Sequence, residues 1–189
     1  MSSSLLKSTM NTRFLPGQTK YIRTDLPYKL TKDEIDFLYE NNFTTVIDLR
    51  TTDEFKSDGS ILEQDKRFTV YNMPITLKNL FPMTFDELKQ EYIDMVDKNL
   101  SMILDFMMSA KTNVIYYCWT GKDRTGVISA MLLKRLGYDK NTIIADYMES
   151  MANEYDFLVE HNRLHPDRPM EVLLPNENLI IPIIQHETI

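Results

Sequence analysis

The sequence predicts an α/β fold with a central, largely parallel sheet flanked by helices. Short runs of β-branched and other apolar residues alternate along the chain with longer segments whose apolar residues recur at helical spacing. Strands that alternate with helices are typical of layered folds with parallel strands. The chain has 189 residues, of which 43% are hydrophobic, and this is enough for one domain with a sizeable core.

Three strands and two helical segments are predicted in the first half of the chain. The strands are the β-branched runs at residues 20–24, 43–50 and 67–75. Thr31 and Glu34 have the spacing of a capping box, in which each side chain accepts the other residue's backbone N–H, so a helix is predicted to start there. The segment TTDEF (51–55) predicts a second helical turn.

A long helical stretch is predicted next. Thr84 and Glu87 have the spacing of another capping box, and a break in the helix is expected near Asn99. The positions expected to face the core are Phe85, Leu88, Tyr92, Val96, Leu100, Ile103 and Met107. Their spacing predicts one apolar helix face packed on the sheet.

The last third of the chain combines one strand with two helices. Residues 113–118 (NVIYYC) predict the strand, and residues 124–137 predict a helix closed by Gly137. A further helix is expected from Thr142 to about His161. Its predicted apolar stripe consists of Ile144, Met148, Met151, Tyr155 and Leu158.

The two chain ends are expected to differ from the domain between them. Residues 1–12 are mostly polar and are expected to be flexible, which leaves residues 13–189 as a single domain. The terminal run LIIPII is apolar and interrupted by Pro182, and both a buried segment and an exposed dimer contact fit it. The sequence therefore leaves the oligomeric state open.

Composition and charge exclude several classes of function. The net charge of −7 argues against general nucleic-acid binding, which needs a broad basic surface. A single cysteine cannot form an internal disulfide, and neither a secretory signal nor a transmembrane run of about 20 apolar residues is recognisable. We therefore expect a cytoplasmic protein. The histidines cluster near the C-terminus without metal-ligand spacing, so neither a metal site nor a cofactor is expected.

The lone cysteine, Cys118, ends a predicted strand and is followed by the loop WTGKD and by a helix that begins at Arg124. In parallel sheets, ligands bind at the carboxyl ends of the strands. A short loop at a helix N-terminus can turn its backbone N–H groups inward and bind an anion. Cysteine thiols have a pKa of ~8.5, which cations and helix N-termini lower. The Cys-x5-Arg-Thr pattern thus indicates a nucleophilic thiol in a phosphate-binding loop.

The side chains around Cys118 suit the roles that this chemistry requires. Arg124 carries a planar fork of donors that matches two oxygens of a phosphoryl group. Gly121 permits a close approach of the backbone and unusual dihedral angles. Thr125 can donate its hydroxyl to the thiolate, and Asp123 can protonate the leaving oxygen and then activate water.

The motif CWTGKDRTG (118–126) resembles the phosphate-binding loop of cysteine-dependent protein tyrosine and dual-specificity phosphatases. Its Lys-Asp pair is similar to that of bacterial tyrosine and phosphoinositide phosphatases. The segments NTRFLPG, YIRTDLPYKLT, TTVIDLRTTDEF and IIADYMESMAN extend the resemblance over roughly residues 11–160. The resemblance implies a tyrosine-phosphatase-like fold and a single phosphatase domain. Relatives usually continue through a further helix after the position of NLIIPIIQHETI, so that helix is expected to be missing.

The resemblance also implies roles for individual residues. Cys118 would be the nucleophile, Arg124 the phosphate clamp and Asp123 the general acid. The implied phosphate-binding positions are Trp119, Thr120, Gly121, Lys122, Thr125 and Gly126. Backbone amides of residues 119–123 would surround the phosphate, and Lys122 at the rim would suit a multiply phosphorylated inositol headgroup.

Several positions leave alternatives open. The family usually has a histidine directly before the cysteine, where this chain has Tyr117, so weaker support for the thiolate is expected. Asp86 lies about where other relatives carry their catalytic acid. A carboxylate in the first turn of a helix also has a helix-dipole explanation, however, and Asp123 is preferred. Three charged residues near predicted strand ends are expected to brace the loop through buried ion pairs: Arg23, Asp48 and Arg50.

Three functions fit these observations. The first is a metal-independent phosphomonoester hydrolase that forms a phosphocysteine intermediate and acts on phosphotyrosine in proteins, on phosphoinositides, or on both. The second is a pseudophosphatase that binds phosphorylated ligands without turnover. The third is a rhodanese-like sulfurtransferase, suggested by VIDLRTTDEF. Rhodanese loops usually have one residue fewer between cysteine and arginine, so this function is ranked last.

Overall fold

The computed structural model describes residues 4–187, which form a five-stranded sheet with helices on both faces. The strands are β1 (Arg13–Phe14), β2 (Tyr21–Thr24), β3 (Thr45–Asp48), β4 (Thr69–Asn72) and β5 (Val114–Tyr117). The helices are α1 (Lys32–Glu40), α2 (Thr52–Ser57), α3 (Phe85–Asp94), α4 (Lys98–Ser109), α5 (Asp123–Arg135), α6 (Lys140–Leu164), α7 (Met170–Leu173) and α8 (Glu177–Gln185). A 3-10 turn at Ile61–Gln64 lies between α2 and β4.

The sheet has the strand order β1-β2-β5-β3-β4, and its pairs are parallel except for the antiparallel edge strand β1. The α/β class and the largely parallel sheet are therefore confirmed. The register pairs Tyr117, the last residue of β5, with Thr24 of β2 and Asp48 of β3. Because these three strands end together, the segment after β5 leaves the sheet from the middle of its carboxyl edge.

Alternate residues of β5 face two separate hydrophobic cores. Val114 and Tyr116 belong to the larger core, to which α3, α4, α5, α6 and α8 contribute. Ile115 and Tyr117 belong to the smaller core, which α1 covers. All four side chains are fully buried, as expected for a parallel sheet covered on both faces. Each buried aliphatic side chain contributes about 1.5–3 kcal/mol, so the end of β5 is a firmly held starting point for the loop that follows.

Side-chain caps define the predicted helix starts. At α1, the Thr31 hydroxyl accepts the N–H of Glu34, and the Glu34 carboxylate accepts the N–H of Thr31, so the predicted capping box is confirmed. The long helical stretch is interrupted at residues 95–97, close to the expected break, because Asp97 caps the start of α4 by accepting the N–H of Leu100.

The buried face of α6 differs from the predicted apolar stripe. Leu158 is buried, but Tyr155 is exposed, and the other stripe residues are half-buried. The residues that α6 buries lie about one position round the helix, and many are polar: Ile143, Asp146, Tyr147, Ser150, Asn153, Glu154 and Leu158. Apolar periodicity alone could not identify this face.

Asp146 explains much of this polar face. Its carboxylate lies 3.2 Å from Nε of Arg13 and 2.5 Å from Nη1 of Arg23, and all three side chains are at least nine-tenths buried. A charge buried without a partner costs several kcal/mol. The two arginines of β1 and β2 therefore require a carboxylate at this point of α6.

The N-terminal segment packs against the domain, which differs from the flexibility expected for residues 1–12. Leu6 is buried in the smaller core, and Asn11 and Thr12 are fully buried. The physical reason is that Asn11 bonds to side chains of α6 that lie far away in sequence. Residues 1–3 lie outside the described residues.

The terminal apolar run forms a buried helix. α8 continues through Pro182, and it contributes Leu179, Ile180 and Ile183 to the larger core. Of the two alternatives for this run, the buried segment is correct. Residues 188–189 lie outside the described part of the chain.

Replacing Asp146 tests the cost of the buried arginines. Asp146→Asn keeps the shape but removes the charge that neutralises Arg23, and we expect the free energy of unfolding to fall by about 3–5 kcal/mol. Asp156→Asn is the matched control because Asp156 is exposed on the same helix, and it should change the free energy by less than about 0.5 kcal/mol. Urea denaturation followed by circular dichroism measures both. Equal stability of the two variants would contradict this account of α6.

Candidate active site

Cys118 directly follows β5 and lines a cavity of about 470 Å³ with mainly apolar walls. Its side chain is 2% exposed and packs in the larger core. Other predicted site residues that line the same cavity are Trp119, Thr120, Lys122, Asp123 and Arg124. The structure thus brings most of the predicted site together at the carboxyl edge of the sheet.

Three backbone carbonyls of the loop after Cys118 are held from outside the loop. The pairs are the N–H of Leu26 with the carbonyl of Trp119 (2.9 Å), Nδ2 of Asn11 with that of Thr120 (3.2 Å) and Nη2 of Arg23 with that of Gly121 (2.7 Å). Within residues 4–187, none of the N–H groups of residues 119–123 donates a hydrogen bond to another group. These N–H groups are therefore available to an anion, as the sequence predicted.

Gly121 lets the loop pass close to β2. Its φ of +76° lies in the left-handed region, and a Cβ at this position would lie 2.6 Å from the carbonyl oxygen of Thr24. A side chain would therefore push the loop away from β2. It would also separate the Gly121 carbonyl from Arg23 of β2, which donates a hydrogen bond to it. The close backbone approach predicted for Gly121 is thus a contact between the loop and strand β2.

Arg124 is held beside Cys118 by a glutamate of α2. Its Nη1 donates to Oε2 of Glu54 at 2.7 Å, and its Nη2 donates to Oε1 at 2.9 Å. Burial opposes the charge of Arg124, but Glu54, Cys118 and Asp123 outweigh burial and raise the pKa of Arg124. Burial also opposes the charge of Glu54, but the Arg124 fork outweighs it and lowers the pKa of Glu54 to about 2. Both groups are therefore charged at neutral pH.

Asp123 lines the cavity with its side chain 32% exposed. The Tyr92 hydroxyl donates to Oδ1 of Asp123 at 2.6 Å and pairs with the Tyr147 hydroxyl at 2.8 Å. Oδ2 of Asp123 accepts no hydrogen bond from residues 4–187. One oxygen is thus held by the protein, and the other is free to exchange a proton with a ligand.

Lys122 lies in a different position from the one the sequence predicted. Its side chain is buried rather than at the rim, and Nζ donates to the backbone carbonyl of Leu173 at the end of α7. The same Nζ lies 3.2 Å from Oδ1 of Asp123. Because both contacts are internal, Lys122 connects the loop to α7 and steadies Asp123.

Tyr117 and Cys118 pack in different cores, so Tyr117 lies on the other side of the sheet from the thiol. The buried pair of Arg50 and Asp48 lies beside it, with the guanidinium 5.8 Å from the Tyr117 ring and 5.1 Å from the ring of Trp119. Arg50 therefore braces the loop through Trp119. Buried ion pairs that brace the loop were the expected arrangement for Arg23, Asp48 and Arg50.

Thr125 and Gly126 lie in the first turn of α5. The Thr125 hydroxyl is buried, and it has no hydrogen-bond partner within residues 4–187. A Cβ at Gly126 would lie 3.0 Å from the ring of Tyr147. The absence of a side chain at Gly126 therefore allows α5 and α6 to pack closely.

Asp86, the alternative acid, is exposed in the first turn of α3 and does not line the cavity. The helix start explains its surroundings. Thr84 accepts the N–H of Glu87 at 3.2 Å, whereas the Glu87 carboxylate accepts the N–H of Met83, so the predicted capping box is half formed. A carboxylate in this turn also interacts favourably with the helix dipole.

Glu154 is a buried carboxyl group behind the loop. Its Oε1 accepts a hydrogen bond from Nδ2 of Asn11, the same group that donates to the carbonyl of Thr120. Its Oε2 has no hydrogen-bond partner within residues 4–187. Burial raises the pKa of Glu154 to about 8, although Lys122 acts in the opposite direction. Glu154 is therefore mainly protonated at pH 7.

The model of the tyrosine phosphatase family matches residues 17–177, which is most of the chain. The chain belongs to this family. This tyrosine phosphatase family member is 25% identical over 170 residues to a tyrosine-protein phosphatase from Nostoc commune, a match that covers 80% of this chain and 58% of that protein. Over 44 residues it is 41% identical to triple specificity protein phosphatase PtpB from Mycobacterium tuberculosis, covering 23% of this chain and 16% of that protein. The chain thus matches only part of the length of both relatives.

The fold of this tyrosine phosphatase family member is also similar to that of a solved structure. P. aeruginosa TpbA, crystallised with phosphotyrosine, superposes with a TM-score of 0.51 over 78% of each chain, at 16% sequence identity. The tyrosine-phosphatase-like fold expected from the CWTGKDRTG motif is therefore confirmed. In residues 4–187, no helix is both long and apolar enough to cross a bilayer, and no three His, Cys, Asp or Glu side chains form a potential metal site.

The sequence did not identify several residues that shape the site, namely Asn11, Glu54, Tyr92 and Glu154. A local signal existed for Glu54, because Thr51 and Glu54 form a capping box at α2 that fixes the Glu54 carboxylate. The helical spacing of Tyr92 predicted a core position, but no sequence pattern indicated that its hydroxyl would bind Asp123. The contacts of Asn11 and Glu154 join distant parts of the chain, so no local pattern could have revealed them.

The raised pKa of Glu154 predicts that stability depends on pH. In the unfolded chain, this group loses its proton near its usual pKa of 4.5, whereas in the folded protein it retains the proton up to about pH 8. Between these values the folded state binds more protons, so its stability falls as the pH rises. Glu154→Gln imitates the neutral carboxyl group and should remove this fall, giving a gain on the order of a few kcal/mol over wild type at pH 8.

Urea denaturation between pH 5 and pH 8 measures this effect of Glu154. Glu160→Gln is the matched control because Glu160 is exposed on the same helix, and it should leave the pH dependence of the wild type unchanged. A Glu154→Gln variant whose stability follows pH as the wild type does would show that Glu154 is not the buried neutral acid described above.

Proposed function

We propose that this tyrosine phosphatase family member hydrolyses phosphotyrosine in proteins through a phosphocysteine intermediate. The observation that carries the proposal is the surroundings of Cys118. Its thiol lies beside the Arg124 guanidinium and starts a loop whose N–H groups have no acceptor within residues 4–187. A phosphoryl group in the cavity would receive hydrogen bonds from both. The positive charge that the reaction needs comes from the protein, so the proposed mechanism is independent of a metal.

The reaction would take two steps. In the first, Cys118 attacks phosphorus as the thiolate, an S–P bond forms, and the bond between phosphorus and the tyrosyl oxygen breaks while that oxygen takes a proton from Asp123. In the second, water gives a proton to Asp123 and attacks phosphorus, and the S–P bond breaks to release inorganic phosphate. The buried Thr125 hydroxyl, which has no partner within residues 4–187, is available to the departing sulfur.

Glu54 acts as a positioning residue in this mechanism. It occupies two of the five N–H donors of Arg124 and leaves the others to the phosphoryl oxygens. Because the guanidinium is already fixed, little conformational entropy is lost when the phosphate binds. The capping box of α2 fixes Glu54 in turn.

Phosphotyrosine is favoured over phosphoinositides by the contacts of Lys122 and by the cavity walls. A headgroup reader would need a free loop cation, but the Lys122 amine is bonded to the Leu173 carbonyl and lies against Asp123. The mainly apolar walls, which include Leu77, Leu88 and Met95, suit an aromatic ring. The name of the Nostoc commune relative and the phosphotyrosine bound to TpbA agree with this substrate class.

Hydrolysis of p-nitrophenyl phosphate in EDTA, from pH 5 to pH 8, tests the proposed activity. We expect the wild type to turn over and Cys118→Ser to lose at least about a thousandfold in kcat, because the nucleophile is removed. Binding of a phosphotyrosine peptide by Cys118→Ser checks that the variant is folded. If neither protein turns over but both bind the peptide, the chain is a phosphate-binding pseudophosphatase instead.

Asp123→Asn tests the acid. Asparagine cannot protonate a leaving group, so we expect about a hundredfold loss of kcat/KM on a phosphotyrosine peptide, whose leaving group is basic. The loss of kcat/KM on p-nitrophenyl phosphate should be much smaller, because nitrophenolate leaves without a proton and slower hydrolysis of the phosphocysteine lowers kcat rather than kcat/KM. Asp86→Asn is the control and should leave both rates near wild type. If Asp123→Asn lost kcat/KM equally on both substrates, Asp123 would be ruled out as the acid.

A further inference from the structure

The charged groups that line the cavity are almost all paired. Lys122 contacts Asp123, and Arg124 forms the fork with Glu54. Glu91, another carboxylate of the cavity wall, accepts the backbone N–H groups of residues 78 and 79 at 2.8 and 2.9 Å. Each of these carboxylates thus already has a partner among residues 4–187, a cation for Glu54 and Asp123 and backbone N–H groups for Glu91.

Arg168 is the exception. It lies in the turn between α6 and α7, lines the same cavity as Cys118 and Arg124, and forms no salt bridge with any carboxylate of residues 4–187. Its Nε is buried and lacks a hydrogen-bond partner among those residues. A buried donor left without an acceptor costs about 1–3 kcal/mol, so this group points to a ligand that supplies the acceptor.

The position of Arg168 is fixed by its surroundings. Its backbone carbonyl accepts a hydrogen bond from Nδ2 of Asn162 at 2.6 Å, and its N–H donates to the carbonyl of His165. Its guanidinium lies 6.0 Å from the ring of Phe81, which is 69% exposed in the segment between β4 and α3. Arg168 thus lies in an apolar, partly exposed part of the cavity wall, where the attraction between opposite charges is stronger than in bulk water.

His161, which lines the cavity near Arg168, does not add a second charge. Burial, together with His165 and Arg168, lowers the pKa of His161 below its usual value of 6.5. The imidazole is therefore neutral at pH 7. Arg168 is left as the unpaired cation of this wall.

We propose that Arg168 binds the carboxylate of an acidic residue that flanks phosphotyrosine in the protein substrate. This inference rests on the proposed function, because it assumes that the phosphoryl group occupies the Cys118 loop. An arginine presents a fork of donors that matches a single carboxylate. The apolar walls around it, including Phe81 and Phe157, suit a peptide chain better than a headgroup that carries several charges.

Matched phosphotyrosine peptides test the proposal. A single glutamate is moved through the positions flanking phosphotyrosine in a neutral peptide, and each peptide is compared with its glutamine counterpart. For wild type, we expect kcat/KM to favour glutamate by about fivefold at one position. Arg168→Gln should bring this ratio to about one, and Arg168→Glu should invert it. Arg163→Gln is the matched control, because Arg163 is exposed on α6, pairs with Glu160 and does not line the cavity.

The outcomes separate this proposal from the proposed function. Wild-type turnover without any glutamate preference, or a preference that survives Arg168→Gln, would overturn the role of Arg168 and leave the phosphatase activity intact. If the wild type shows no turnover, the role of Arg168 is tested by measuring the affinity of Cys118→Ser for the same peptides by calorimetry. A glutamate preference that Arg168→Gln removes would support the subsite, and equal affinities would overturn it.

Discussion

The hydrogen bond from Arg23 to the Gly121 carbonyl is the contact on which the site most depends. With the contacts from Leu26 and Asn11, it fixes the carbonyls of the loop on its outer side and leaves the N–H groups to an anion. Arg23 is fully buried, so it needs a counter-charge, and Asp146 of α6 supplies it. The orientation of this short loop is thus imposed by strand β2 and helix α6, which lie outside it.

This constraint also explains the buried polar groups behind the loop. A helix that must carry Asp146 at the sheet edge cannot present a purely apolar face, and Ser150, Asn153 and Glu154 complete a polar layer there. Polar groups are tolerated in such a layer when they are hydrogen-bonded. Oε1 of Glu154 meets this requirement by accepting a hydrogen bond from Nδ2 of Asn11, and the raised pKa of Glu154 keeps the group mainly protonated, which avoids burying a further negative charge. The stability lost by burying these groups is the cost of a rigid loop.

Much of the fold followed from local patterns, and the site followed in part. Strands rich in β-branched residues and the capping box at α1 are short-range features, and the structure has them where the sequence predicted. The loop motif identified Cys118 and Arg124 as neighbours. Sequence could not reveal the buried position of Lys122, because its partner at Leu173 lies 51 residues away. The apolar stripe predicted for α6 differs from the buried face for a related reason. The arginines that require a carboxylate on that face lie more than 120 residues earlier in the chain.

The central claim is that Cys118 becomes phosphorylated during turnover, and rapid chemical quench of the Asp123→Asn variant tests it most directly. With p-nitrophenyl phosphate the first step needs no acid, whereas the second step loses the group that activates water, so the intermediate should accumulate. Peptide mass spectrometry of the quenched protein should then find one phosphoryl group on Cys118, preceded by a burst of nitrophenolate. Turnover without a burst, or with phosphate on another residue, would contradict the account.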